Sequence, residues 1–199
     1  MYRNTFLSVM FLACCFNGSL CAQSDAQIYE RTCDAKTYPF SDPSPVATPN
    51  NSYYPYFRFD GFSMQAQEKQ WKMVVLENDY VKLTVTPEIG GKIWGAIDKV
   101  NNKEFVYTNG VVKFRDVAMR GPWTSGGIEF NFGIIGHAPT CSTPIDYLTK
   151  KNVDGSVSCH IFSYEWITRT VWNVEISLPK DKAYFTTHTT WFNQSSIDQ

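Results

Sequence analysis

The chain has 199 residues, a formal net charge of −1 and an aromatic content of 16%. That length suits one domain, or a large part of one. The near balance of charge excludes the electrostatic footprint of a nucleic-acid binder or of a protein drawn to an anionic membrane.

Residues 1–22 read as a signal peptide. Arg3 supplies the positive start, and Phe6 to Phe16 is an apolar run too short to span a bilayer. Asn17-Gly18-Ser19 breaks that run, and Leu20-Cys21-Ala22 sets a cleavage position before Gln23. Lipid attachment at Cys14 or Cys21 fits less well, because the residues before each cysteine make a poor lipid-attachment box. The mature chain is expected in the periplasm or outside the cell, with no membrane span after signal removal. Three cysteines leave with the signal, and Cys33, Cys141 and Cys159 remain. Their odd number and wide spacing make no disulfide framework, so burial as small apolar residues is their expected fate. His137 and Cys141 stand at a zinc-like spacing, but no second pair accompanies them, and neither a metal nor a cofactor is expected.

Residues 23–60 are expected to form an extended arm that packs on the body. Prolines at 39, 43, 45, 49 and 55 forbid a long helix, and Tyr53, Tyr54, Tyr56, Phe57 and Phe59 would be costly to leave in water. From residue 61 to 199 the pattern is β. Trp71 to Leu76 alternates and turns at Asn78-Asp79. Val81, Leu83 and Val85 then point opposite to Lys82, Thr84 and Thr86. Pro87 ends that strand, and Gly90-Gly91 turns the chain into Ile93 to Ile97. Further strands are expected over Glu104 to Tyr107, Ile145 to Lys150, Val157 to Tyr164, Thr168 to Leu178 and Ala183 to Asn193. In the fourth of these, Thr170, Trp172, Val174, Ile176 and Leu178 share a face. Short strands at close spacing with turn signals predict an all-β antiparallel sandwich. A long strand six residues from Gln199 ends no domain cleanly, and missing outer strands are expected.

Between the two runs of strands lies Lys113 to Pro144, KFRDVAMRGPWTSGGIEFNFGIIGHAPTCSTP. Its glycines and prolines set special backbone angles between groups able to bind or to move protons. Arg115, Asp116, Arg120, Trp123, Asn131 and His188, from a later strand, are the expected ligand-binding residues. Glu129 and His137 are the candidate acid–base pair. Alternation puts Glu129 and Asn131 opposite Ile128, Phe130 and Phe132, so an inward apolar face leaves Glu129 toward a cleft. Trp123 is the expected ring for stacking on a sugar, and an ion pair with Arg115 or Arg120 is the simpler role for Glu129.

Five blocks carry a family resemblance: TYPFSDPSPV, YPYFRFDGF, VLENDYVKLTVTPEIGGKIWGAIDK, VVKFRDVAMRGPWTSGGIEFNFGIIGHAPT and WNVEISLPKDKAYFTTHTTWFNQSS. From about Tyr38 onward the chain resembles a bacterial family of exported or repeat-linked proteins, domain-of-unknown-function family 5107. That family sits in the galactose-mutarotase-like, or β-supersandwich, superfamily. The resemblance implies a concave sheet that holds sugars, and relatives that are epimerases, lyases or accessory domains of glycoside hydrolases. His188 in H-T-T-W-F-N is similar to the mutarotase H-x-Y-F-N block. In the family's order of strands, however, that block's counterpart comes about one strand later, and the catalytic glutamate would lie beyond Gln199. The expectation is therefore an exported, incomplete supersandwich that binds or processes a glycan in an aromatic and polar cleft. The alternatives are a carbohydrate-active enzyme using Glu129 and His137, and a structural sandwich without glycan affinity. Longer relatives are expected to carry it as a repeat domain.

Overall fold

The computed structural model describes residues 24–40, 62–116, 122–132, 137–138 and 140–199. Residues 1–22, read above as a signal peptide, residues 41–60 of the expected arm and Arg120 lie outside them, and only the backbone of Asp116 and Pro122 is described. Every regular element among the described residues is a strand. One sheet holds β1 (Gln27–Tyr38), β2 (Gln67–Glu77), β3 (Val81–Thr86), β4 (Lys92–Asp98), β5 (Lys103–Val106), β6 (Val112–Asp116) and β7 (Pro122–Thr124). Their spatial order is β5-β4-β3-β2-β1-β6-β7. The other sheet holds β8 (Asp146–Lys151), β9 (Val157–Glu165), β10 (Thr170–Leu178) and β11 (Thr186–Asn193), in the order β11-β10-β9-β8. The neighbours run antiparallel, as expected, except β1 and β6, which pair in parallel at Thr37↔Val112 and Tyr38↔Lys113.

The core follows from alternation. Val74 and Leu76 of β2, Val81, Leu83 and Val85 of β3, and Ile93 and Ala96 of β4 meet Val157, Cys159 and Ile161 of β9 and the predicted face of β10. This is a sandwich core, built where the inward side chains of two sheets interdigitate. Trp172 is 2% exposed there and stacks on Phe132 at 4.6 Å and 13°. Cys159 is fully buried, which pushes its thiol up to about 12, and Cys141 is buried as well. Neither of them, nor Cys33, forms a disulfide among the described residues.

The large sheet is buried on its second face too. Trp71 and Met73 of β2, Trp94 of β4, and Val112 and Phe114 of β6 form a separate cluster with Ile89. Strands that are covered on both faces lose the polar alternation of a half-buried strand, and β2 is buried at four successive positions, Met73 to Leu76.

The arm differs from its expected form at its start. Gln27 to Tyr38 is an integral strand, paired residue for residue with β2 from Gln27↔Glu77 to Thr37↔Gln67. The buried Trp71 indole donates to Thr37 Oγ1 at 2.9 Å and locks that register. A sheet partner satisfies the backbone of a segment too polar to seek burial by itself. Asn78 joins the sheets at the other end of β2. Its Nδ2 donates to the carbonyls of Pro179 and Lys182 at 2.7 and 2.8 Å, and its Oδ1 accepts from the amides of Tyr80 and Val81. Among the described residues no helix is long and apolar enough to cross a membrane.

Candidate functional site

Two glycine pairs shape the site. Gly90 and Gly91 both sit at positive φ, 63° and 69°, where L side chains are strained. A Cβ on Gly90 would lie 2.6 Å from the Cys141 backbone. The turn therefore docks directly on residues 141–145. The Gly90 amide donates to Thr143 at 2.8 Å, and the Ile145 amide to Pro87 at 3.0 Å. Gly126 and Gly127 repeat the device at φ 80° and 69°. They bring the next residue, Ile128, against β4, where Ile128 and Ile93 exchange backbone hydrogen bonds of 2.8 and 3.0 Å. Residues 128–132 thus join the sheet by the single Ile93–Ile128 bridge.

The expected alternation holds along this segment. Ile128, Phe130 and Phe132 pack on the core between the sheets. Glu129 is turned the other way, and its Oε1 meets His137 Nδ1 at 2.5 Å. The Glu129 side chain keeps 12% of its exposure and His137 keeps 37%. With a carboxylate as its partner, Nδ1 is the donor of this contact, which fixes the orientation of the ring. Among the described residues Glu129 Oε2 is buried without a hydrogen-bond partner. A buried carboxylate oxygen left unpaired is costly, so a further polar partner for Glu129 is expected.

Lys92 adds a cation that the sequence did not suggest. It follows Gly91, precedes the inward Ile93, and is only 1% exposed. Its ammonium donates to the Thr124 carbonyl at 2.8 Å and to Thr124 Oγ1 at 3.1 Å, between the rings of Trp94 and Trp123 at 5.9 and 6.0 Å. Burial holds its pKa below the ordinary lysine range, opposed by the charge of Glu129 and by Cys141. The Trp123 ring in turn meets the His137 ring edge-on at 5.9 Å. Glu129, His137, Trp123 and Lys92 therefore form one cluster with both signs of charge and an aromatic wall. It can accept hydroxyl protons, donate to hydroxyl oxygens and relay a proton through His137.

The other expected residues fall elsewhere or play other parts. Asn131 Oδ1 accepts from the Ala138 amide at 2.9 Å, which positions the residue next to His137. Arg115 opposes Trp123 across β6 and β7, but its guanidinium lies over Phe62 at 4.4 Å and donates to the Phe114 carbonyl at 2.6 Å. It is not the partner of Glu129. The Asp116 backbone pairs with Pro122, at the end of β6. His188 is exposed on β11, opposite Glu175 and on the edge of the second sheet. No described contact brings it to the cluster. Among the described residues no three His, Cys, Asp or Glu side chains gather to hold a metal ion.

The same architecture occurs in the crystal structure of a TPR-domain containing protein from Parabacteroides distasonis, with a TM-score of 0.77 and 26% identity over 85% of this chain. The chain spans 29% of that protein's length. The family model described as a domain of unknown function (DUF5107) matches residues 48–199, and the chain belongs to that family.

Proposed function

We propose that this chain is an exported carbohydrate-recognising β-sandwich domain whose site is the Glu129, His137, Trp123 and Lys92 cluster. The observation that carries the reading is the 2.5 Å Glu129–His137 contact beside the Trp123 ring, with one buried carboxylate oxygen left to be satisfied. Sugars combine C–H faces, which rest on aromatic rings, with hydroxyls, which bond best to ionised groups. Export rests on the composition of residues 1–22. The test is a glycan array followed by titration of the best ligand against variants. Trp123→Ala and Glu129→Gln each weaken binding, by roughly 1–3 kcal/mol, while the melting temperature stays near wild type. Folded variants that bind as tightly as wild type remove the cluster from the site.

A second reading makes the pair catalytic. Glu129 holds Nδ1 and leaves the other ring nitrogen without a described partner, the arrangement of an oriented acid–base histidine. In that case Glu129→Gln abolishes turnover and leaves much of the binding intact.

A further inference from the structure

The second face of the large sheet carries a cavity of about 440 Å³ that Trp94 lines and that none of Glu129, His137, Trp123 or Lys92 does. That volume falls within the range of small-molecule sites. Met73 and Trp94 are apolar lining, and Arg31, Lys82, Thr84 and Glu104 are polar lining, while Asp34 and Lys36, also at the wall, alternate to the side of β1 opposite Arg31. Alternation puts Arg31 on the same side of β1 as Cys33 and Ala35, which pack into the cluster of that face. The charges are not spread evenly. Arg31 belongs to β1 and Glu104 to β5, four strand steps away, and Lys82 of β3 stands in the row of Glu104, through Ile97. Each step is about 4.8 Å. Lys82 is tied to Glu77 at 3.7 Å. Among the described residues neither Arg31 nor Glu104 has an ion pair, although each lines the same concavity.

From this arrangement we infer that the cavity is a subsite for an acidic sugar unit, its carboxylate taken by Arg31 and its ring laid against Trp94 and Met73. The inference rests on the carbohydrate reading of the neighbouring cluster, with which it shares Trp94 as a wall. The planar guanidinium matches a carboxylate in bidentate fashion, which a lysine cannot do. Glu104, at the far end, is too remote to repel the carboxylate and accepts hydroxyl protons together with Thr84. A neutral sugar leaves the Arg31 end unused.

The test is an NMR titration of the full chain with glucuronate and, separately, with glucose at the same ionic strength. Glucuronate is expected to bind about tenfold or more tightly than glucose, with shifts centred on Trp94 and Met73. Arg31→Gln is expected to bring the two affinities within about twofold of each other, at an unchanged melting temperature. Equal affinities in the wild type, or a preference that survives Arg31→Gln, overturn the inference. If Glu129→Gln weakens glycan binding while Arg31→Gln leaves the sugar preference untouched, the acidic subsite falls and the carbohydrate reading stands. If neither sugar shifts any resonance on this face, the subsite is refuted, and the carbohydrate reading then depends on the glycan array alone.

Discussion

Gly127→Ala is expected to lower stability by roughly 2–5 kcal/mol and to abolish ligand binding. Gly127 sits at φ 69°, and a Cβ there would lie 2.2 Å from the Ile93 carbonyl oxygen. That oxygen is backbone, so it cannot swing aside as a flexible side chain would. The positive φ costs about 1–3 kcal/mol with any L side chain. Relief of the clash requires residues 126–128 to leave β4, which forfeits the two Ile93–Ile128 hydrogen bonds at about 0.5–1.5 kcal/mol each. Glu129 is the next residue, so the Glu129–His137 contact goes with them. A urea titration read by tryptophan fluorescence measures the loss. Gly110→Ala is the control, because nothing lies within 4 Å of its added Cβ. Equal stability of the two variants would show that the glycine pair does not position this segment.

Lys92→Ala is expected to be comparably costly, about 2–5 kcal/mol, by the rule for large-to-small changes in a packed interior. It empties space between Trp94 and Trp123 and leaves the Thr124 carbonyl without its ammonium donor. Lys92→Met refills most of the volume and removes the charge with its hydrogen bonds to Thr124, so the comparison separates packing from the polar contribution. Their pH dependences differ with a definite sign. Burial lowers the native pKa of Lys92 below its unfolded value. At low and neutral pH both states carry the proton, and the native state bears the full cost of burying it. As pH rises through the lowered native value, the folded protein releases the proton first, and stability increases until the unfolded lysine titrates as well. Wild type should therefore gain stability relative to Lys92→Met over that window. A constant difference across it would mean that Lys92 is not the buried cation described here.

The sandwich was legible where one face of a strand is dry and the other wet. In β10 the alternation from Thr170 to Leu178 is copied residue for residue by its burial. The turns were legible for a similar reason: Gly90-Gly91, Asn102 and Gly155 occupy the left-handed backbone region that their residue types announce. β1 was not legible as a strand. It buries only Thr37 fully and is held by pairing with a segment some forty residues away in sequence, a contact with no local trace. Of the site, Glu129 and its facing were readable from Ile128, Phe130 and Phe132. The contact with His137 was not, because a loop anchored by the Asn131–Ala138 bond sets it. Lys92 was missed because a lysine opening a strand reads as solvated. The available signal was its place between a glycine pair and two large apolar residues, Ile93 and Trp94. The cavity beside Arg31 was hidden with β1 itself.

A glycan bound at the cluster is expected to meet the His137 ring at Nε2 while Glu129 holds Nδ1. Long-range ¹H–¹⁵N NMR of the histidine side chains tests this directly, with and without a saturating glycan found on the array. The free protein is expected to show a protonated Nδ1 at His137, and the glycan to shift the His137 Nε2 resonance while leaving His188, on the far edge strand, unmoved. An unchanged His137 spectrum at saturation, or a shift confined to His188, would contradict the account.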